Sequence, residues 1–581
     1  MSFFKTQNAL AKVEFKGFGG IDKRDATGWR GKAAEIVNFR VLEDGTLKKR
    51  CGYRKLVSMP STVRAMLTGY FEGEFLGYVL SGDSLFKMDF STGQTELVGC
   101  IGSSSGDASI FYYLGNIFII DGKEIYEVRD DGIMRSEGYV PLLGKDWGSN
   151  YPGDINEPLN LLNPRARISY VVSDPPTIFL ATLYKVSSVE AVYLNGELLS
   201  SSDYYVDADF GTINVPGLEV GDRVLVYLTF DSSLVNRKRV IENTRAAVFG
   251  GVNNSRVFMW GGSKKNVMYS SAYISNADLR NSQAAYPDSG ALYFPADYDF
   301  TVGDGRYDIT AVSRHYDRLL IFTTGETWMA DSEACGIEYF PTMRINSENG
   351  CLSARGCSRS GNDPISVGRQ KIMKWTSNTD MLEECNAYPI SDAISELLPI
   401  GFFERAVVHE DKWNGEILFA DPEDTECRIF AYGASGNRWY IYNGMTVNIF
   451  FDGPKSVGFA SGKEIYLFDD HLTVDRPTGK DIRIIEARFV SQPLDFGLSG
   501  RTKRLMMLGV EADLGGEEID VRFDSDRKIQ SGGRISGGSD QGTAFYSKRI
   551  PSDRFSKTSM TIESNSSAPQ TIYGVKITVK P

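Results

Sequence analysis

Short runs of Ile, Val, Leu, Phe and Tyr recur along most of the chain, each bounded by Gly, Asp, Asn or Ser. Runs of this kind read as β-strands. Tyr78-Val79-Leu80 stops at Ser81-Gly82-Asp83-Ser84 and resumes as Leu85-Phe86-Lys87-Met88-Asp89-Phe90, which predicts two strands about a turn. Asn116 to Val128 and Lys463 to Asp469 follow the same design. Helical patterns are short, around Asn276 to Ala285 and Asp392 to Leu398.

The runs form a degenerate repeat: an apolar strand, a Gly-containing turn, a second strand that often ends in Asp, and a further Gly turn. Candidate units lie near 62–99, 106–140, 243–271, 306–342, 364–392, 404–442 and 445–478. Units of roughly 30–45 residues suit four-stranded propeller blades. One small sheet cannot bury both faces alone, so blades stack around an axis and share a core. An irregular array of β-sandwiches is the alternative reading.

The series is interrupted between about 141 and 242. Val189 to Leu199, Asp203 to Asp207, Gly211 to Val215 and Gly221 to Leu228 form a different set there, with Asn195-Gly196 as a strong hairpin signal. This predicts a β-sandwich inserted into the repeat domain, edged by Pro164 and by Asn236-Arg237-Lys238-Arg239. After about 482 longer alternating runs appear, and a second sandwich is expected. Gln530 to Thr543 is Gly/Ser-rich and reads as a mobile loop. The expected fold is all-β: a propeller of six or seven blades with an inserted and a C-terminal β-sandwich. The expected segments are 1–55 (strands closing or joining the propeller), 56–160 and 239–481 (propeller), 161–238 (insert) and 482–581 (C-terminal sandwich).

Composition narrows the chemistry. The chain has 581 residues, 63 Lys+Arg against 75 Asp+Glu, and a net charge of −12. Its 59 glycines fit a protein rich in tight turns. The acidic balance argues against avid nucleic-acid binding by a generally basic surface. No apolar run is long enough for a membrane helix, and Met1 to Asn8 does not read as the start of a secretory signal. No stable membrane insertion is therefore expected. Seven cysteines without a C-x-x-C pair argue against a disulfide framework and structural zinc.

Individual candidates read as structural. Asp207 and Asp209 form a D-x-D near Gly211, but the further oxygen ligands of a calcium loop are missing. Thr323-Thr324-Gly325-Glu326-Thr327-Trp328 resembles the Asp-box turn of sialidase propellers without its Asp, and reads as a blade turn. Cys351, Cys357 and Cys385 read as ordinary thiols, and His315 and His409 as strand residues. With no nucleophile motif, phosphate loop or metal set, no catalytic, cofactor or metal site is assigned. Two basic clusters, Lys48-Lys49-Arg50 and Arg237-Lys238-Arg239, are the candidate contacts to other subunits or to a DNA backbone.

The opening of the chain carries a resemblance. It reads Phe18-Gly19-Gly20-Ile21-Asp22, Ala34-Glu35-Ile36-Val37-Asn38-Phe39 and Asp44-Gly45-Thr46-Leu47-Lys48-Lys49-Arg50-Cys51-Gly52-Tyr53. This resembles tailed-phage tail proteins built on a β-propeller. Ser255 to Gly261, Asn266 to Ser270, Tyr293-Phe294-Pro295, Ile309-Thr310-Ala311 and Leu319 to Thr323 are similar to the propeller of the tail nozzle, or DNA-stabilisation, proteins of short-tailed phages. The inserted module also resembles small β domains of phage tail proteins. The resemblance implies a virion structural protein, made in the host cytoplasm and built into the tail. Its copies would form a homo-oligomeric ring, a hexamer, that continues the DNA channel, retains packaged DNA and guides its ejection. Tail adaptor or portal-proximal proteins and tail fibres or receptor-binding proteins are the implied partners, with transient passage of double-stranded DNA. Two other functions fit the fold. A receptor- or glycan-binding tail module needs an exposed aromatic groove. A propeller glycoside hydrolase needs paired carboxylates in a central pocket.

Overall fold

Burial on both faces explains why so many strands are continuously apolar rather than alternating. In the computed structural model Arg256–Trp260 and Glu416–Ala420 are buried at every position, each sandwiched between neighbouring sheets. The structure describes residues 10–15, 17–24, 31–173, 178–179, 186–207, 211–250, 255–284, 286, 288–331, 341–376, 387–526, 529–538, 542–550 and 554–581.

Among the described residues, six four-stranded antiparallel sheets and the first four strands of a nine-stranded sheet make seven blades. Blades 1 and 2 run from Val63–Phe71 to Thr95–Cys100 and from Ser109–Tyr113 to Gly132–Arg135. Blades 3, 4 and 5 begin at Arg245–Phe249, Ile309–His315 and Cys357–Ser360, and blade 6 at Val407–Asp411. Blade 7 takes Ile449–Asp452, Val457–Ser461 and Glu464–Asp469 from one end of the chain and Gly52–Ser58 from the other. The chain is thus an all-β propeller whose last blade is completed by an N-terminal strand.

Apolar side chains wedge each pair of neighbouring blades. Ala65, Leu80 and Leu85 meet Ile110, Ile117 and Ile119 between blades 1 and 2. Phe258 and Trp260 meet Leu319 and Ile321 between blades 3 and 4. Val63, Val79 and Met88 meet Phe451, Ala460 and Ile465 where blade 7 returns to blade 1, which closes the ring.

The insert leaves the propeller after blade 2. One sheet takes the order Leu142–Gly148, Arg165–Val171, Arg223–Phe230, Val186–Leu194, Glu197–Leu198, and a smaller one holds Ile178–Phe179, Thr212–Asn214 and Tyr205–Asp207. Ile168, Val192, Ile213 and Val226 form its core. The insert starts at Leu142, ahead of the expected edge at Pro164. Between its first two strands the chain returns to the propeller, where Leu161 and Leu162 join the core shared by blades 2 and 3. The sequence hides this excursion because the returning segment forms no strand.

The C-terminal sandwich is continuous with blade 6. Beyond Arg438–Asn443 the nine-stranded sheet continues through Ala33–Val37, Ala487–Ser491, Thr558–Ser564, Glu518–Ser525 and Ile529–Ser536. The facing sheet holds Phe39–Val41, Leu47–Lys49, Thr571–Lys580, Arg504–Asp513 and Ala544–Arg549, with Ala11–Phe15 also paired to Thr571–Lys580. The first half of the expected mobile loop at Gln530 to Thr543 is a strand, Ile529–Ser536, paired with Glu518–Ser525, while 539–541 lie outside the described residues. Its glycines permit a bulge: a Cβ at Gly532 would meet the Val521 carbonyl oxygen at 2.3 Å.

Tyr53 anchors the closing strand. It is 4% exposed and meets the rings of Phe459 and Tyr466, each at 5.4 Å, edge to face. Tyr53→Ala is expected to cost about 3–5 kcal/mol in urea unfolding, the usual effect of emptying a large aromatic site. A loss under about 1 kcal/mol would mean that the Gly52–Ser58 strand does not hold blade 7 shut.

Candidate functional site

The opening motif of the chain folds into a seam between propeller and sandwich. Asn38 sits in the left-handed region at φ 55°, between the two strands that enter the two sheets. Its amide nitrogen donates to Asn443 Oδ1 and, at 2.7 Å, to the Glu486 carbonyl. Its carbonyl side-chain oxygen accepts from Arg50 Nε at 2.8 Å. One side chain therefore joins blade 6, the C-terminal segment and the N-terminal strand. Asn tolerates this backbone conformation better than most residues.

Arg50 is 3% exposed and forms a two-pronged ion pair with Asp475, both bonds 2.7 Å. A second ion pair crosses the seam nearby. Arg40 Nε lies 2.6 Å from Glu416 Oε1, and the Tyr442 hydroxyl donates to Glu416 Oε2 at 2.9 Å. Burial and the Glu416 charge push the Tyr442 hydroxyl well above the ordinary tyrosine range. Gly52 follows because a Cβ there would lie 2.0 Å from the Val474 carbonyl oxygen. Arg40 and Arg50 line a small cleft of about 170 Å³, with Lys48, Cys51, Asp470 and Pro569 in its wall.

The basic residues singled out by sequence therefore divide. Lys49 is buried, donates to the Ser566 carbonyl, and is brought down to about 8 by burial and then by the adjacent Arg50. Arg237 donates to the Leu162 and Ser136 carbonyls at 2.9 and 2.8 Å and pairs with Glu124. Arg239 pairs with Asp299 at 2.6 Å and lies over the Tyr269 ring. Lys49 and Arg50 are buried internal ties, and the half-buried Arg237 and Arg239 are bonded within the chain; their planar or ammonium donors satisfy carbonyls and carboxylates that burial would otherwise strand. Lys48 and Lys238 are exposed. The clusters occupy different places, one on the sandwich sheet and one on the short helix Lys238–Ile241 that leads into blade 3.

The Thr323–Trp328 turn and the two histidines are embedded in blades. Thr323 Oγ1 accepts from Glu326 N at 2.9 Å, and Glu326 contacts Trp328 Nε1 and Arg344, each at 3.2 Å, so this segment forms a blade turn. His409 bonds Asp452 at 2.9 Å, and His315 bonds the Asn362 carbonyl at 2.8 Å. Cys351 is buried, and burial pushes its thiol up to about 12. Asp207 lies on a hairpin strand opposite Thr212, while Asp209 and Cys385 lie outside the described residues. Sequence reasoning missed Asn38, Arg40, Glu416 and Asp475, whose partners are hundreds of positions apart. The dense opening motif was the available signal.

Comparison with known proteins adds a fold-level likeness. No family model matches the chain, and no curated protein matches it. Among solved structures it is similar to PorZ, a bacterial surface component of the type-IX secretion system of Porphyromonas gingivalis, at 10% identity over 78% of this chain with a TM-score of 0.35. It spans 44% of the PorZ chain, less than half. A chain of the mitotic checkpoint complex is similar at 8% identity over 72% of this chain and 94% of that one, TM-score 0.33. The AfRom2 CNH domain is similar at 7% identity over 72% and 99%, TM-score 0.35.

Two outcomes are expected of the seam. Arg50→Met leaves Asp475 buried and unpaired and should cost about 3–5 kcal/mol, while adding Asp475→Leu recovers much of the loss. Chemical denaturation of the two variants reads this, and equal losses would deny a buried pair. The depressed Lys49 sets the second outcome. The unfolded chain binds more protons than the folded one between about 8 and the ordinary lysine value of 10.5, so this group makes stability rise with pH across that window. Between pH 8 and about 9.5, below ordinary tyrosine ionisation, Lys49→Met should flatten the stability profile relative to the natural chain. An unchanged slope would contradict it.

Proposed function

We propose that this chain is a structural subunit of a phage tail: a homo-oligomeric ring, six copies by the resemblance of its opening motif, that continues the DNA channel, retains packaged DNA and guides its ejection. The observation that carries this reading is the seam. The motif behind the resemblance is the set of residues that fuses propeller and sandwich into one continuous sheet, so its chemistry is mechanical. A wall subunit under load benefits from such fusion, because domains joined only by a linker move by default. Adaptor or portal-proximal proteins on one side and fibre or receptor-binding proteins on the other are the partners of such a ring.

The charge pattern supports passage rather than grip. The chain carries a net −12, and four of the six basic residues in its two clusters are spent on internal bonds. An acidic wall repels phosphates and lets duplex DNA slide.

Sedimentation and imaging of the purified chain, or of the tail that contains it, should reveal a ring with an open axis. A single copy on the tail axis would refute the proposal. Binding of labelled duplex DNA should be negligible at physiological salt. Tight binding that falls steeply with salt would mean that the wall holds DNA through phosphate contacts, and the sliding mechanism would have to be abandoned.

A further inference from the structure

Two hairpin tips stand side by side on one end of the propeller. Blade 1 turns at Glu72-Gly73, with φ of 53° and 89°, and blade 2 at Leu114-Gly115, with φ of 46° and 88°. Both are tight two-residue turns of the type that matches strand twist, although Glu and Leu are unusual in their first positions. Between the blades opens a groove of about 490 Å³, within the range of roughly 300–1,000 Å³ common for small-ligand sites.

Its rings are exposed but oriented. Tyr70 is 74% exposed and Tyr112 48% exposed. Tyr70 packs edge-on to Phe75 at 5.2 Å. Phe71 packs edge-on to Tyr112 at 5.6 Å and to Tyr78 at 5.3 Å. Phenolic rings at this exposure keep apolar faces in water while neighbouring rings fix their direction. Charged groups line the same groove: Glu72, Glu127 and Asp130 against Lys87 and Arg129. Arg129 is held by Glu127 at 3.3 Å and by the Asp288 carbonyl at 3.0 Å, so the polar wall is braced.

This mixture discriminates among occupants. The core of a protein interface is depleted in Glu, Asp and Lys. A phosphate-rich polymer meets the exposed carboxylates of Glu72 and Asp130. A carbohydrate suits both halves: the C–H face of a pyranose covers a tyrosine ring, while its hydroxyls donate to carboxylates and accept from Lys and Arg. We propose that the groove between blades 1 and 2 binds an uncharged oligosaccharide, its sugar faces on Tyr70 and Tyr112 and its hydroxyls on Glu72, Asp130 and Arg129. The site is independent of the ring proposal, since it needs only two adjacent blades.

Calorimetric titration of the full chain with maltohexaose, cellohexaose, chitohexaose, mannohexaose and dextran-derived oligosaccharides tests it. Saturable binding of at least one is expected. Tyr70→Ala should weaken it about tenfold or more, and Tyr70→Ala/Tyr112→Ala should abolish it. The thermal midpoints of both variants should stay near that of the natural chain, because both side chains are exposed. The proposal falls if none of the panel binds, or if the double variant binds as the natural chain does. It also falls if the double variant loses self-association instead, which would assign the groove to a second copy of the chain.

Discussion

A ring of blades cut from a single chain has a seam where its last blade must be completed. In this protein the N-terminal segment completes it, and the rest of the architecture depends on that crossing. Gly52–Ser58 supplies the fourth strand of blade 7. Earlier in the same N-terminal segment, before the Phe39–Val41 and Leu47–Lys49 strands, Ala33–Val37 bonds to blade 6 on one side and to Ala487–Ser491 on the other. The same short stretch therefore closes the propeller and welds it to the C-terminal sandwich. Asn38 and the Arg50–Asp475 pair hold the crossing where the chain changes sheets.

Such a seam joins segments far apart in sequence, so loop-closure entropy must be met by contacts that form late and together. Buried ion pairs add little net stability over apolar packing. Their value at this crossing is register: a two-pronged Arg–carboxylate pair accepts one alignment of Tyr53 against Phe459 and Tyr466, and a slipped strand would strand two buried charges. The insert and the interblade groove lie on other parts of the ring, leaving the seam free to act as frame.

Much of this fold was legible in the sequence because local rules wrote it. Asn195-Gly196 announced its hairpin, and Leu319-Leu320-Ile321-Phe322 and Ile117-Phe118-Ile119-Ile120 announced strands buried on both faces. Each of the seven candidate units overlaps one of the seven blades, but the third stops short of the Asp299–Thr301 strand, the fifth starts after the Cys357–Ser360 strand, and blade 7 borrows a strand the repeat did not contain. What stayed hidden was pairing across distance. Nothing near Arg50 says that its partner is Asp475, so a run of three cations read as an outward patch when two of them point inward. Gly532 and Gly533 read as part of a loop because composition does not reveal a bulged strand. The groove at Tyr70 and Tyr112 was invisible for a similar reason: its rings come from two blades, and exposure is a property of the assembled ring.

Native-state hydrogen exchange measures the seam most directly. If the N-terminal segment closes and fuses the protein, the amides of Ala33–Val37 and Gly52–Ser58 exchange with the same opening free energy as their partners in Arg438–Asn443 and Glu464–Asp469, as one cooperative unit. If those N-terminal amides exchange at a clearly lower free energy while the blades stay protected, the segment is an appendage, and the seam does not hold the structure together.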